Sequence, residues 1–218
     1  FSVDEAVQIH GGAGFIEDYP ICAMYRDERI NRIFEGTNEI NRLLAAGTTL
    51  KKALLEDIPI RDSITDRSME WIPEVGIDKK EVENEVRVVE FCRSANLFIL
   101  NLLIKKYGQD LKNEQWVLEP YSNIVISVAI LDTTIKRYLQ ATESKQGDIL
   151  PVLKLSIADQ YIKILENSHD ILRLIDATDR NSGALEEWDK KLNYKPNRIE
   201  LKKDIYKRLV KFGKYYLD

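Results

Sequence analysis

Between a few glycine and proline breakers, residues 79–216 repeat apolar side chains at intervals of three and four, and no strict alternation competes with that period anywhere in the 218 residues. A period of about 3.6 residues gathers apolar groups into one stripe per helix, and such stripes are buried by packing helix on helix. The pattern therefore predicts an all-α fold. Val82, Val86, Val89, Ala95, Phe98, Leu102 and Leu103 mark one stripe over residues 79–107, closed by Gly108. A second stretch covers 112–144 and contains Pro120. A proline in a helix interior costs about 3 kcal/mol, so a kink or restart is expected there. Residues 124–139 are apolar on more than one side and read as the centre of the bundle. Gly147-Asp148 reads as a restart into a helix over 149–174. Residues 176–183 form a turn cluster, a short helix covers 184–192, and Pro196-Asn197 introduces a last helix to Tyr216. The sum is an up-and-down helical bundle of four or so helices.

Ahead of the bundle the character changes. Residues 57–78 carry Pro59, Pro73 and Gly76 without a sustained period and read as a linker, which divides the chain into 1–56, 57–78 and 79–218. The front segment includes QIHGGAGFIEDYPICAMYRDERINRIFEGTNEINRLL over residues 8–44. A short helix over 4–10 stops at Gly11-Gly12, and Pro20 suits the first position of a helix to about residue 33. Ile21, Met24, Tyr25, Ile30 and Ile33 can share its apolar side, while Arg26, Asp27 and Arg29 are expected to pair internally. Phe34 to Gly36 interrupt the helix. Thr37 then suits the N-cap of another helix, with Glu39 in its first turn and an end near Asp57.

Composition narrows the function. A formal net charge of −4 argues against a general nucleic-acid binder. No apolar run reaches the roughly 18 residues of a membrane-spanning helix, and the opening residues lack the pattern of a signal peptide. Cys22 and Cys92 are far apart, and His10 and His169 stand alone, so reduced thiols and no metal site are expected. That fits a cytoplasmic chain, or a mitochondrial one if the source is eukaryotic. The first residue is Phe1, inside an amphipathic phrase, and a part of something longer is the expectation.

Taken in order, Q-I-H-G-G-x-G-F, D-Y-P, Y-R-D and R-I-F-E-G-T-N-E-I resemble the closing signature of the acyl-CoA dehydrogenases, over roughly residues 1–50. The resemblance implies the last helices of that family's C-terminal domain, followed here by an appended bundle similar to the very-long-chain type, where K-N-E-Q-W-V-L over residues 112–118 adds a second likeness. It implies FAD as cofactor, α,β-dehydrogenation of a fatty acyl-CoA in β-oxidation, transfer of electrons to an electron-transfer flavoprotein, and a homodimer. Because the family's flavin-holding domains lie outside this chain, the chain by itself is expected to be inactive and not to retain FAD.

Residue by residue, the resemblance assigns Glu35 as the base that removes the α proton, and its backbone N–H to the thioester carbonyl. Phe34 and Gly36 fall to the substrate side. Gln8, Ile9, His10, Gly11 and Gly12 match the segment that touches the flavin of a neighbouring subunit, although a bare glycine pair also reads as a helix stop. Thr37, Asn38 and Glu39 start a helix facing the flavin diphosphate, a favourable place for an anion, with Glu39 itself more suited to capping than to touching phosphate. An acyl-CoA oxidase and a non-catalytic helical dimerisation or assembly module are the alternatives; the threonine of E-G-T-N favours the dehydrogenase. The lysine-rich last helix could lie on an anionic membrane, but a solvated basic face is preferred.

Overall fold

The computed structural model describes residues 2–57, 80–175 and 179–213, and among them the regular structure is helical, with no strand. The chain divides into two compact units, Phe1–Leu44 and Ala45–Asp218.

In the first unit, helix α1 (Ser2–His10) runs into a 3-10 turn (Gly11–Gly14), and helix α2 (Pro20–Arg29) packs on α1 and continues as a second 3-10 turn (Ile30–Arg32). Tyr19 is extended (φ −112°, ψ 134°), and Pro20, with no N–H to lose, opens α2. Gly14 is required by space: a Cβ there would lie 2.4 Å from the Val7 carbonyl oxygen. Its burial and that of Cys22, whose thiol donates to the Phe15 carbonyl at 3.5 Å, are the only full burials among the described residues of this unit. The expected apolar side of α2 is left largely uncovered, with Met24, Ile30 and Ile33 each at least half exposed. Of the charge run, Arg26 reaches beyond α2 and meets Glu17 of the preceding segment at 2.6 Å. Helix α3 (Asn38–Leu54) begins in this unit and ends three residues before the expected Asp57, with Glu56 left-handed (φ +61°).

The second unit is built on α4 (Glu83–Tyr107), α5 (Gln115–Gln140) and α6 (Glu143–Leu174), with α7 (Asp179–Leu192) packed on α4 and α6 and α8 (Arg198–Phe212) on α6. Phe91, Ile99 and Leu103 of α4, Ile124 and Leu131 of α5, and Ile157, Ile164 and Ile171 of α6 are buried, each contributing about 1.5–3 kcal/mol. Gly108 ends α4 at φ +53°, and Gly213 ends α8 in the left-handed region at φ +63°. Both cysteines are free and buried. No helix among the described residues is long and apolar enough to cross a membrane.

Three of the breaks expected within this unit fall elsewhere. Pro120 makes no break: α5 begins at Gln115, where Val117 and Leu118 both donate to the Glu114 carbonyl at 3.0 Å. The N–H that Pro120 lacks would have gone to the carbonyl of Trp116, an 85% exposed residue of the first turn, so little is lost. Nor does Gly147-Asp148 restart the chain. The extended pair Ala141-Thr142 does, and Thr142 accepts from Lys145 and Gln146 at 2.9 and 3.1 Å while Gln146 Nε2 donates back to the Ala141 carbonyl at 3.0 Å. Helix α7 starts at Asp179, inside the expected turn cluster 176–183, of which 176–178 lie outside the described residues. The linker expected over 57–78, Asp57 apart, and the last residues to Tyr216 also lie outside them.

A cavity of about 760 Å³ in this unit is lined by Glu85, Lys154, Tyr194, Asn197 and Asp204, among others. Glu85 is 4% exposed; Tyr194 donates to it at 3.3 Å, and Lys154 Nζ stands 3.8 Å away. Burial pushes its carboxyl above the usual range, more than Lys154, its own N–H and Tyr194 pull it down. A raised folded-state pKa means that the contribution to stability is present at low pH and lost as pH rises through that pKa. Glu85→Gln is therefore expected to raise the urea midpoint at about pH 7, with the gain shrinking toward about pH 4, where the parent carboxyl is itself neutral.

A candidate active site at a strained helix break

The break after α2 is a built turn. Ile33 and Phe34 both donate to the Ile30 carbonyl, at 2.9 and 3.1 Å, and then Glu35 turns left-handed (φ +55°), followed by Gly36 (φ +93°). Only Glu56 and Asn193 share a positive φ among the other described non-glycine residues. For a residue with a Cβ this conformation costs about 1–2 kcal/mol, so the turn has to be held by its neighbours.

On one side, Asn41 Nδ2 donates to the Gly36 carbonyl at 2.9 Å, and a Cβ on Gly36 would come 2.9 Å from Asn41 Oδ1. Glycine at position 36 is thus favoured by the backbone angle, and a larger residue would also press on the Asn41 amide. On the other side, Arg32 pairs with Asp4 and so ties the 3-10 turn to α1. Past the turn, Thr37 Oγ1 accepts from the Ile40 N–H at 3.3 Å, and its carbonyl accepts from the Asn41 N–H at 2.9 Å, which makes it the expected cap of α3. The Glu39 carboxylate is held below its ordinary range, chiefly by its own N–H and next by the Thr37 hydroxyl, so Thr37 and Glu39 serve each other at the helix start.

Glu35 is exposed, and beside it Phe34 is 48% exposed. The Glu35 N–H donates to no group among the described residues. Gln8, Ile9 and His10 form the exposed end of α1, where His10 Nδ1 bonds the Ala6 carbonyl at 2.8 Å, and Gly11 and Gly12, also exposed, open the 3-10 turn that follows. A Cβ on Gly11 or Gly12 would meet nothing within 4 Å, although Gly11 is left-handed at φ +57°. A cavity of about 710 Å³ in the first unit is lined by Val7, Phe15, Ile16, Cys22, Tyr25 and Arg26, among others, and by none of the expected site residues. Sequence reasoning passed over Asn41 and the Asp4–Arg32 pair. The available signal for Asn41 was its position four residues after Thr37, which stacks the two on one side of the first turn.

Thr37→Val keeps the shape of the cap and removes its hydroxyl. The expected outcome is a loss of about 1 kcal/mol of helix-start stability, read as faster amide exchange at Ile40. A rise of the Glu39 carboxyl toward its ordinary value in an NMR titration should accompany it, because a lowered folded-state pKa stabilises above the unfolded value and that hold is lost with the hydroxyl.

Residues 1–50 match the family described as acyl-CoA dehydrogenase, C-terminal domain. A probable acyl-CoA dehydrogenase of Bacillus subtilis (strain 168) is 41% identical over 151 residues, 68% of this chain and 25% of that protein. The caffeyl-CoA reductase-Etf complex subunit CarC of Acetobacterium woodii is 48% identical over 48 residues, 22% of this chain and 13% of that protein. Among solved structures, an acyl-CoA dehydrogenase complexed with FAD from Bacillus anthracis superposes with a TM-score of 0.84 at 30% identity, over 99% of this chain and 38% of that one. The chain spans about a quarter of the length of the B. subtilis relative. The 151 matched residues reach well beyond the first 50, so the likeness includes the bundle. Sequence and fold together make the chain a member of the acyl-CoA dehydrogenase family, with residues 1–50 belonging to its C-terminal domain.

Proposed function

We propose that this chain is the C-terminal portion of an FAD-dependent dehydrogenase of fatty acyl-CoA thioesters, with Glu35 as the base that removes the α proton. The observation that carries this reading is the strained turn, which lifts Glu35 out of helical register and leaves both its carboxylate and its N–H uncommitted. A carboxylate acts as a base here when it stands in contact with the α carbon and water is excluded; bound substrate and the rest of the protein would complete that exclusion. The Glu35 N–H would donate to the thioester oxygen, so that the negative charge developing as the proton leaves is met by a fixed dipole. Phe34 offers an apolar wall to the acyl chain.

FAD, when bound, supplies the acceptor for the hydride from the β carbon. The residues present fit its polar edges: Gln8, His10 and the open backbone at Gly11-Gly12 expose hydrogen-bonding groups, with free space above both glycines. Thr37 and Asn38 present a helix N-terminus. Glu39 is engaged by its own N–H and by Thr37, in keeping with a capping role. Exposed Ile9, Phe15, Met24, Ile33, Ile40 and Leu44 are more apolar surface than so small a unit ordinarily shows to water, which supports cover by the remainder of a catalytic domain.

In this reading residues 1–56 close the catalytic domain, 57–78 link it, and 79–218 form an appended bundle of the very-long-chain type. A homodimer, electron transfer to an electron-transfer flavoprotein, and a cytoplasmic or mitochondrial site of action go with it. The name of the A. woodii relative, a reductase in a complex with Etf, favours a second reading in which the chemistry runs toward the saturated thioester. Glu35 would then return the proton to the α carbon.

In a flavin-loaded parent that includes the flavin-holding domains, Glu35→Gln is expected to keep its FAD and to slow flavin bleaching by acyl-CoA by about 100-fold or more, measured anaerobically by stopped flow. Bleaching at close to the parental rate would move the base elsewhere.

A further inference from the structure

A left-handed glutamate followed by a left-handed glycine persists only where surrounding groups over-determine it. Helix α3 does not need the Asn41 side chain for its own sake: the Asn41 N–H already bonds Thr37, and the Thr37 hydroxyl already caps Ile40. The amide of Asn41 instead reaches back across the first turn and donates to the Gly36 carbonyl at 2.9 Å, while its Oδ1 occupies the space a Cβ on residue 36 would need. That bond fixes the Gly36-Thr37 peptide, and through the Gly36 torsions it fixes the direction in which the Glu35 peptide and side chain leave the turn.

We infer that Asn41 is a positioning residue for the proton transfer at Glu35: its side-chain amide holds the turn in the orientation that points the carboxylate and the N–H of Glu35 at one substrate. This rests on the reading of Glu35 as base. Asn41 touches neither substrate nor flavin in this scheme. It acts through the Gly36 carbonyl, and the Asp4–Arg32 pair steadies the opposite end of the same turn. A misplacement of about 1 Å at a reacting group costs up to about 10²-fold in rate, so a single hydrogen bond to the turn can matter far more to chemistry than to folding.

The test uses the same flavin-loaded parent and three substitutions. Asn41→Asp preserves shape and removes the donor, Asn41→Leu removes the polar group, and Asn41→Gln retains a donor on a longer arm. The first two are expected to slow flavin reduction at saturating acyl-CoA by about tenfold or more, with the half-saturating substrate concentration and FAD content unchanged, and the third to recover most of the loss. Independently of activity, deuterium uptake in a peptide covering residues 33–42 should rise about tenfold in the Asp and Leu variants, with uptake in α5 and α6 unchanged. Faster uptake with a parental reduction rate would reduce Asn41 to a structural brace and overturn the inference, as would parental values for both. Glu35→Gln measured alongside separates the two ideas. If it reduces flavin normally, the base assignment and the inference fall together; if it is inactive while Asn41→Asp is parental, only the inference falls.

Discussion

Burial along the α5–α6 hairpin is what the second unit stands on. Tyr121, Ile124, Leu131 and Ile135 of α5 and Leu153, Ile157, Ile164 and Ile171 of α6 lose nearly all contact with water, and Ala141-Thr142 alone separates the two helices. So short a connection obliges the helices to run antiparallel and side by side. Helix α4 then needs only one stripe to close the third side, while α7 adds Leu185 and Trp188, whose ring meets Phe91 and Phe98 edge-on at 6.2 and 5.6 Å. Polar pairs tie the elements together: Tyr138 donates to Glu81 and Tyr161 to Asp189, and burial first, then the bond to a carboxylate, pushes both phenols far above their usual range.

The first unit obeys a different balance. With Gly14 and Cys22 as its fully buried residues among those described, it has little apolar core to spend on holding a strained turn, and it relies on discrete polar ties instead. Asp4–Arg32, Asn41 to Gly36 and Thr37 to Ile40 each fix one segment of the path around Glu35. In the proposed reading, a site held in this way has its backbone set locally, within some forty residues, while the walls that exclude water would come from outside the unit.

Helix content and the position of the helix break were legible in the sequence, because both follow from local pattern: the apolar period in the bundle, and Phe34-Glu35-Gly36 ahead of a Thr cap in the front segment. What misled was the reading of single breakers. Pro120 and Gly147 cost a helix only where an N–H is needed or no neighbour stabilises the segment, and both sit within the first two turns of helices that begin at Gln115 and Glu143. The Asn41 brace and the Asp4–Arg32 tie were illegible for another reason. Each depends on a side chain crossing to a backbone or residue that periodicity treats as unrelated, 5 and 28 positions away. Periodicity also announced an apolar side on α2 without saying that this unit would leave it uncovered.

Helix α8 carries a consequence of its own. No side chain of α8 is buried, and it is fastened to α6 by Arg198 to Asp159 and by Arg208 to Asp148, all four partly open to solvent. Charges in such positions are screened within about 8 Å at physiological ionic strength. Counter-ions thus compete for the same two aspartates that seat the helix, and α8 is the part of the bundle whose attachment answers to dissolved salt, whereas the hairpin beneath it answers to the water structure around its hydrocarbon.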